Sequence, residues 1–482
     1  MDSLWRMLGK SPEKVETDDV YPLHMLDDTK TLRGIVVTWT LRFNDVMDAD
    51  TLHSSLSRLL EIGDWRKLGG RLRLNDQGAL EIHVPTPFTP DRPAVAYSYE
   101  KLSVDIDGHE LGCQLPKVTD KLSTHPGPEN FKAFATRPDA PQALNDFIYH
   151  DVPLLSLHVT AFNDATLVGL SWPHVLMDVM GQQALLRAWS SVLAGREADV
   201  PPVLGAREDV FQTAVSTPGS DEKFNMGEKQ LKGAGLIQFG LRYAWDLMTG
   251  PAAESKMIYL PATVIAALRR QVEADLDKSS GDMPFLSDND ILTAWAAQVV
   301  GMSQQQPRPV TALYVINARF RITSLSQADG VFVQNMAVAG FTMLSPSEST
   351  GALGPIALAN RQQLHTQATE HQVNAFVRAL QGDAAGGDPR ILCGPSDAVL
   401  MPLTNWERAD IFGSVDFGAA VTRAGNNNIP GHITYHHPSS MGTATHKNLF
   451  VVLGKDGKGG YWLNSHLTPR GWELVADTLT TT

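Results

Sequence analysis

The stretch Gly169-Leu170-Ser171-Trp172-Pro173-His174-Val175-Leu176-Met177-Asp178-Val179-Met180-Gly181 decides the reading of this chain. Strands are expected over 154–160 and 166–172, joined by a turn at Asn163-Asp164. A helix is expected from about 178 to 194, with Met180, Leu185, Leu186, Trp189 and Leu193 on its apolar side and Gly195 closing it. His174 therefore sits between a buried-looking strand and a helix start, a junction that turns side chains toward a crevice. Histidine is the natural general base near neutral pH. Asp178, four residues on, would either hold the imidazole or anchor the loop. A core histidine beside a capping aspartate produces the same pattern, so the spacing alone leaves both readings open.

Outward from this segment, strands and helices alternate. A strand at 35–43 leads to a helix that Asp48 or Asp50 caps, with Leu52, Leu56, Leu59 and Leu60 on one face. Residues 74–150 read as loop-rich. Residues 196–235, with Pro201-Pro202, Gly205 and Pro218-Gly219, read as a long connection of the kind that carries function or links domains. In the second half, Pro261 opens a helix. Ser287 and Asp290 form a capping-box pattern before Ile291, Leu292, Trp295 and Val299. Strands follow at 310–316 and 336–341, one long helix at 355–380, strands at 399–403, 449–453 and 461–463, and a short helix from Trp472. The length of 482 residues and the alternation predict an α/β protein of two domains, 1–195 and 236–482, joined by the 196–235 connection.

Composition excludes several classes. Lys plus Arg is 40 against 53 Asp plus Glu, a net charge of −13, which opposes the nucleic acid backbone and an anionic membrane surface. Cys113 and Cys393 are too few for a disulfide framework or a cysteine-rich zinc site. The N-terminus lacks the apolar run of a signal peptide, and no run is long enough for a transmembrane helix. The expectation is a soluble, cytoplasmic protein. Nucleophile-elbow, phosphate-loop, dinucleotide-fold and H-E-x-x-H patterns are absent. His436, His437 and His446 lack an acidic partner at ligand spacing, so no metal is expected.

A second segment joins the first: Pro402-Leu403-Thr404-Asn405-Trp406, followed by Asp416-Phe417-Gly418-Ala419-Ala420. Together the two resemble the BAHD acyltransferase family, which carries H-x-x-x-D near the middle and D-F-G-W-G toward the C-terminus. Ala419-Ala420 departs from Trp-Gly and resembles the fungal branch. Val315-Ile316-Asn317-Ala318-Arg319 and the later Gly330-Val331-Phe332-Val333-Gln334-Asn335 look like the family's arginine strand and its Gly-Tyr-x-Gly-Asn segment, of which the Tyr and the second Gly are missing. The opening Pro22 to Asp27 and the helix from Ser287 to Trp295 are similar too.

The resemblance implies two chloramphenicol acetyltransferase-like domains joined by a crossover loop, with an active-site channel at their interface. It implies acyl-coenzyme A as co-substrate and transfer of an acyl group, acetyl in the first instance, to a hydroxyl of a small secondary metabolite, an amine being the other acceptor. His174 would be the general base in a direct ternary complex, which agrees with the absence of a nucleophile motif. Thr404 and Trp406 match the family's Thr/Ser-x-Trp site, where Thr404 would donate to the oxyanion. Asp178 would pair with Arg319 rather than with His174. Gly181, Asn335, Asp416, Phe417 and Gly418 would be structural at the active site, the D-F-G segment shaping the C-terminal domain. Ser287, at a helix start, would meet a coenzyme phosphate, with Lys256, Arg423 and Lys447 as further cations. No metal, no prosthetic group, no nucleic acid or membrane partner and a monomer are expected.

Other readings remain at this stage. Carrier-protein-dependent condensation domains share the architecture but carry His-His-x-x-x-Asp-Gly, where this chain has Pro173 before His174 and Val179 after Asp178. A family member recruited to cyclisation or rearrangement would keep His174 as a proton shuttle.

Overall fold

The computed structural model describes residues 12–215, 222–276, 285–384, 391–426, 429–441 and 446–481. The extreme N-terminus, on which the signal-peptide reading partly rests, and residues 216–221 of the connection lie outside them.

Two mixed sheets organise the chain. The five-stranded sheet runs in the order Tyr435–Ser440, Val36–Phe43, Thr166–Pro173, Ser156–Ala161, Ala96–Lys101. Its central strand, Thr166–Pro173, is buried at every position, which explains the near-continuous apolar sequence. Helices Ala49–Leu59 and Val179–Leu193 bury Leu52, Leu56, Leu59, Leu185, Leu186 and Trp189 against one face. Asp48 caps the first of these helices by accepting from Thr51 N at 2.6 Å.

The seven-stranded sheet runs Ala337–Leu344, Val310–Asn317, Val399–Asn405, Leu449–Lys455, Tyr461–Leu467, Glu254–Leu260, Ser123–Pro126. Helices Ala262–Asp275, Asp288–Met302 and Leu353–Gln367 form its core with Leu268, Ile291, Trp295 and Ile356.

The sheets do not respect the sequence boundary. Ser123–Pro126, inside the segment read as loop, pairs antiparallel with Glu254–Leu260. Tyr435–Ser440, from the second half, pairs antiparallel with Val36–Phe43. Each half thus supplies an edge strand to the other half's sheet. A third apolar cluster joins them, in which Phe131, Phe134 and Leu167 meet Met257, Tyr259, Val451 and Trp462.

Two local expectations change. The helix expected over 355–380 is two helices, Leu353–Gln367 and Glu370–Ala384. The break is chemical: the Thr369 hydroxyl accepts from Gln372 N at 3.2 Å and starts a new helix. Helix Gly233–Thr249 follows the connection where no helix was read, because Gly233, Gly235 and Gly240 weaken the sequence signal. Among the described residues no helix is long and apolar enough to cross a membrane.

Candidate active site

His174 extends the central strand by one residue. Its backbone N donates to Ile35 O at 2.9 Å, continuing the register in which Val36 faces Pro173. The chain then turns, Trp172 Nε1 donating to Met177 O at 3.3 Å, and enters the helix at Asp178.

Asp178 is committed to structure. Oδ1 accepts from Met180 N and Gly181 N, each at 3.0 Å, which caps the helix. Arg319 donates to both oxygens, Nη1 to Oδ2 at 2.8 Å and Nη2 to Oδ1 at 3.0 Å. Met336 N donates to Oδ2 at 3.1 Å. These five donors use up the carboxylate's acceptor capacity. Arg319, itself buried, also donates to the carbonyls of Phe332 and Gln334. One arginine thus fastens the His174 loop to the segment before strand Ala337–Leu344. Gly181 allows the approach, since a Cβ there would lie 2.1 Å from Val333 O.

Asn335 holds the histidine itself. Its Nδ2 donates to His174 O at 3.0 Å and to Asp27 Oδ1 at 2.9 Å, and its backbone N donates to the same Asp27 oxygen at 2.8 Å. Asp27 is fully buried, and burial raises its carboxyl pKa against the pull of Lys67. Lys67 is buried with it and donates to Ala206 O at 3.3 Å. The Pro22 to Asp27 segment of the sequence therefore reaches the site through Asn335.

His174 is partly exposed, with Nδ1 buried and bonded to no other residue. Burial lowers its pKa below the usual imidazole value, while its own backbone carbonyl, Asp178, Asn335 and Asp27 pull the other way. The ring is held mostly neutral, the form a general base requires.

Thr404 and Trp406 come from the end of strand Val399–Asn405 and the residue beyond it. Both are half-buried. Trp406 N donates to Val452 O at 2.8 Å, and its ring lies 5.0 Å from that of Trp39. Trp39 pairs with Leu170 of the His174 strand and donates through Nε1 to His436 Nδ1 at 3.2 Å. Trp406 thus links the second sheet to the strands that carry His174.

The D-F-G segment lies elsewhere than expected. The Phe417 ring is buried between Phe43 at 5.4 Å and Trp189 at 4.5 Å, inside the core of the five-stranded sheet rather than of the C-terminal half. Asp416 Oδ1 accepts from Gly418 N at 3.1 Å, and Phe417 N donates to Gly431 O at 2.9 Å. Gly431, at φ +83°, is required because a Cβ there would lie 2.1 Å from Gly418 N. Ala420 O accepts from Asp48 N at 2.8 Å, so the departing Ala419-Ala420 pair closes onto the first half.

Ser287 is engaged internally. Its Oγ donates to Asp290 Oδ2 at 2.7 Å and accepts from Arg361 Nη2 at 2.8 Å. Around it lies a cationic group that the sequence did not single out. Arg361 pairs with Asp290, and Arg408 lies 3.8 Å above the Phe320 ring. Arg321 is close enough to both that, after burial, their charges depress its pKa further. The available signal was Arg319-Phe320-Arg321, one arginine turned to Asp178 and the next free to face outward. Lys256 pairs with Glu254 and Lys447 donates to Asp246 O, while Arg423 is exposed on the short strand beside Val46–Met47; none of them joins this cluster.

His436 and His437 are buried on strand Tyr435–Ser440, and burial pushes each pKa down to about 3. Among the described residues no group of three or more His, Cys, Asp or Glu is arranged to hold a metal. A cavity of about 710 Å³ opens beside the five-stranded sheet, with Ser171, Ser156 and Ser98 in its lining.

Comparison with known proteins then decides the family. The chain is 34% identical to O-acetyltransferase PaAT-2 of Phomopsis amygdali over 489 residues, covering 97% of this chain and 99% of that protein. The chain belongs to the BAHD acyltransferase family. It is likewise 34% identical to acetyltransferase BOT5 of Botryotinia fuckeliana, over 96% of this chain and 90% of that one. Its fold matches the crystal structure of Fusarium sporotrichioides TRI101 complexed with coenzyme A and T-2, with a TM-score of 0.67 at 15% identity over 94% of this chain and 96% of that one. No protein-family profile matches the chain. As a BAHD member with fungal acetyltransferase relatives, the protein is an acyltransferase of the chloramphenicol acetyltransferase-like fold.

Proposed function

We propose that this BAHD acyltransferase transfers an acyl group, acetyl in the first instance, from acyl-coenzyme A to a hydroxyl of a small secondary metabolite in one ternary complex. The observation that carries the reading is His174 at the end of the central strand, partly exposed, with its backbone carbonyl held by Asn335. His174 takes the proton from the acceptor hydroxyl as the oxygen attacks the thioester carbonyl carbon. The tetrahedral intermediate collapses, the carbon–sulfur bond breaks, and the proton passes from His174 to the leaving thiolate. Thr404 donates to the oxyanion, a contact commonly worth about 3 kcal/mol. Asp178 and Arg319 fix the loop and take no part in proton transfer.

The coenzyme's phosphates meet Arg321, Arg361 and Arg408, a local positive field on a chain of net charge −13. Ser287 then belongs to that wall through Arg361 rather than as a free donor. The 196–235 connection is the crossover between the halves. TRI101 with coenzyme A and T-2, at the level of fold, and relatives named acetyltransferases support this assignment.

Calorimetric titration with coenzyme A and acetyl-coenzyme A tests it without knowing the acceptor. Saturable one-to-one binding supports the acyl-coenzyme A reading. Failure of both to bind at millimolar concentration would move the protein to a carrier-protein donor or to recruited non-acyl chemistry.

A further inference from the structure

The Pro22 to Asp27 segment brings no reacting group to the site, yet it ends in a carboxylate buried beside the His174 loop. Asp27 is 0% exposed. Its Oδ1 accepts from the backbone N and from Nδ2 of Asn335, at 2.8 and 2.9 Å, and its Oδ2 accepts from His24 N at 3.2 Å. Each of these bonds comes from an N–H donor. A protonated acid would have to donate its own O–H, so the donors select the carboxylate. A charge this deep needs a counter-charge. Lys67, 1% exposed, is the cation that acts on it.

The surrounding segments close on this pair. Lys67 Nζ donates to Ala206 O at 3.3 Å, and the His24 ring donates through Nε2 to Gly205 O at 2.7 Å. Leu204 N donates to Val331 O at 2.7 Å, a few residues before Asn335. Stability does not account for the charges, because apolar residues of similar volume commonly replace a buried ion pair without loss. Orientation does. One hydrogen of Asn335 Nδ2 goes to Asp27 Oδ1 and the other to His174 O at 3.0 Å. A carboxylate only accepts, so it holds the amide with its nitrogen toward the His174 carbonyl. An amide at position 27 would offer its own N–H and let Asn335 turn over, placing oxygen against oxygen.

We propose that Asp27 is a positioning residue for acyl transfer: a buried carboxylate, balanced by Lys67, that fixes the Asn335 amide and so keeps the His174 carbonyl and ring in place. The proposal rests on His174 as the base. Asp27 also acts on that ring through space. Its negative charge favours the imidazolium, as does that of Asp178, which Arg319 offsets, and both oppose the effect of burial.

NMR titration of histidine-labelled protein, with the His174 signal assigned through His174→Gln, tests the charge without an acceptor. In Asp27→Asn the His174 pKa is expected to fall below the wild-type value. Thiol release from acetyl-coenzyme A is expected to lose on the order of 10- to 100-fold in kcat with KM for acetyl-coenzyme A unchanged. Asp27→Asn and Lys67→Met should each lower the melting temperature. The Asp27→Asn/Lys67→Met variant should regain most of that loss, since neither charge is left alone, while kcat stays low because the amide is still free. A wild-type His174 titration and kcat in Asp27→Asn overturn the proposal. So does a double variant that recovers kcat together with stability, which would make the pair structural only, or one that melts below both single variants. Turnover retained by His174→Ala would sink the base assignment and this proposal with it. Loss in His174→Ala beside wild-type values in Asp27→Asn sinks this proposal alone.

Discussion

Arg319 and Asp178 meet as a two-pronged ion pair across 141 positions of sequence, at 2.8 and 3.0 Å. The pair draws Asp178 away from His174 and joins the His174 loop to the segment that carries Asn335. Removing one partner leaves a buried charge uncompensated, at a cost of about 3–5 kcal/mol. Asp178→Asn and Arg319→Ala are therefore expected to lower unfolding stability by that order. Chemical denaturation of the double variant should fall well short of the sum of the two. Simple additivity would contradict the pairing.

His174→Ala is expected to leave the melting temperature near wild type and to abolish acyl transfer. Asn335→Ala differs in kind, because it frees the His174 carbonyl and strips Asp27 of the Nδ2 donor. Loss of kcat together with stability is the expected outcome for that variant, measured by turnover and thermal melting side by side. Unchanged turnover in His174→Ala would remove it from the mechanism.

The pH profile follows from the burial of His174. Burial favours the neutral ring, so the competent base persists at lower pH than an exposed histidine would allow. The acid limb of kcat/KM is expected to be centred below about 6.5, the ordinary imidazole value. An acid limb centred at or above that value would contradict the assignment.

The arginine cluster predicts a salt-dependent coenzyme site. Arg321→Ala and Arg408→Ala are each expected to weaken coenzyme A binding by on the order of 1–2 kcal/mol, roughly 5- to 30-fold. Each should also flatten the dependence of log Kd on log salt concentration. Arg361→Ala should in addition destabilise the fold, since it abandons the fully buried Asp290. Calorimetry at two ionic strengths checks all three.

His436 and His437 predict acid sensitivity. Their folded pKa values lie at about 3, below an unfolded value of about 6.5. The unfolded chain therefore binds more protons between those limits. Stability is full above the unfolded value and is lost as pH falls, by about 1.4 kcal/mol per histidine per pH unit. Urea midpoints between pH 7 and pH 5 should fall more steeply for wild type than for the His436→Gln/His437→Gln variant. Parallel curves would contradict the linkage.

Much of the site was legible because its geometry is local. The strand ending at His174, the helix beginning at Asp178 and the capping box at Ser287 each arise from short-range periodicity and side-chain caps, which sequence spacing records directly. The family was legible in the order of the motifs. The Arg319 partnership with Asp178 entered through that resemblance and not through spacing.

What the sequence by itself determined is the capping residues around His174 and Ser287, the α/β alternation and the absence of the common nucleophile motifs. Tertiary structure alone decided the exchange of edge strands between the sheets, the burial of Phe417 in the first half's core, and the gathering of Arg321, Arg361 and Arg408. The physical reason is range. Helix faces and caps are set by residues three or four apart, whereas strand partners, buried ion pairs and clustered like charges depend on contacts between distant segments, whose positions follow from packing the whole chain.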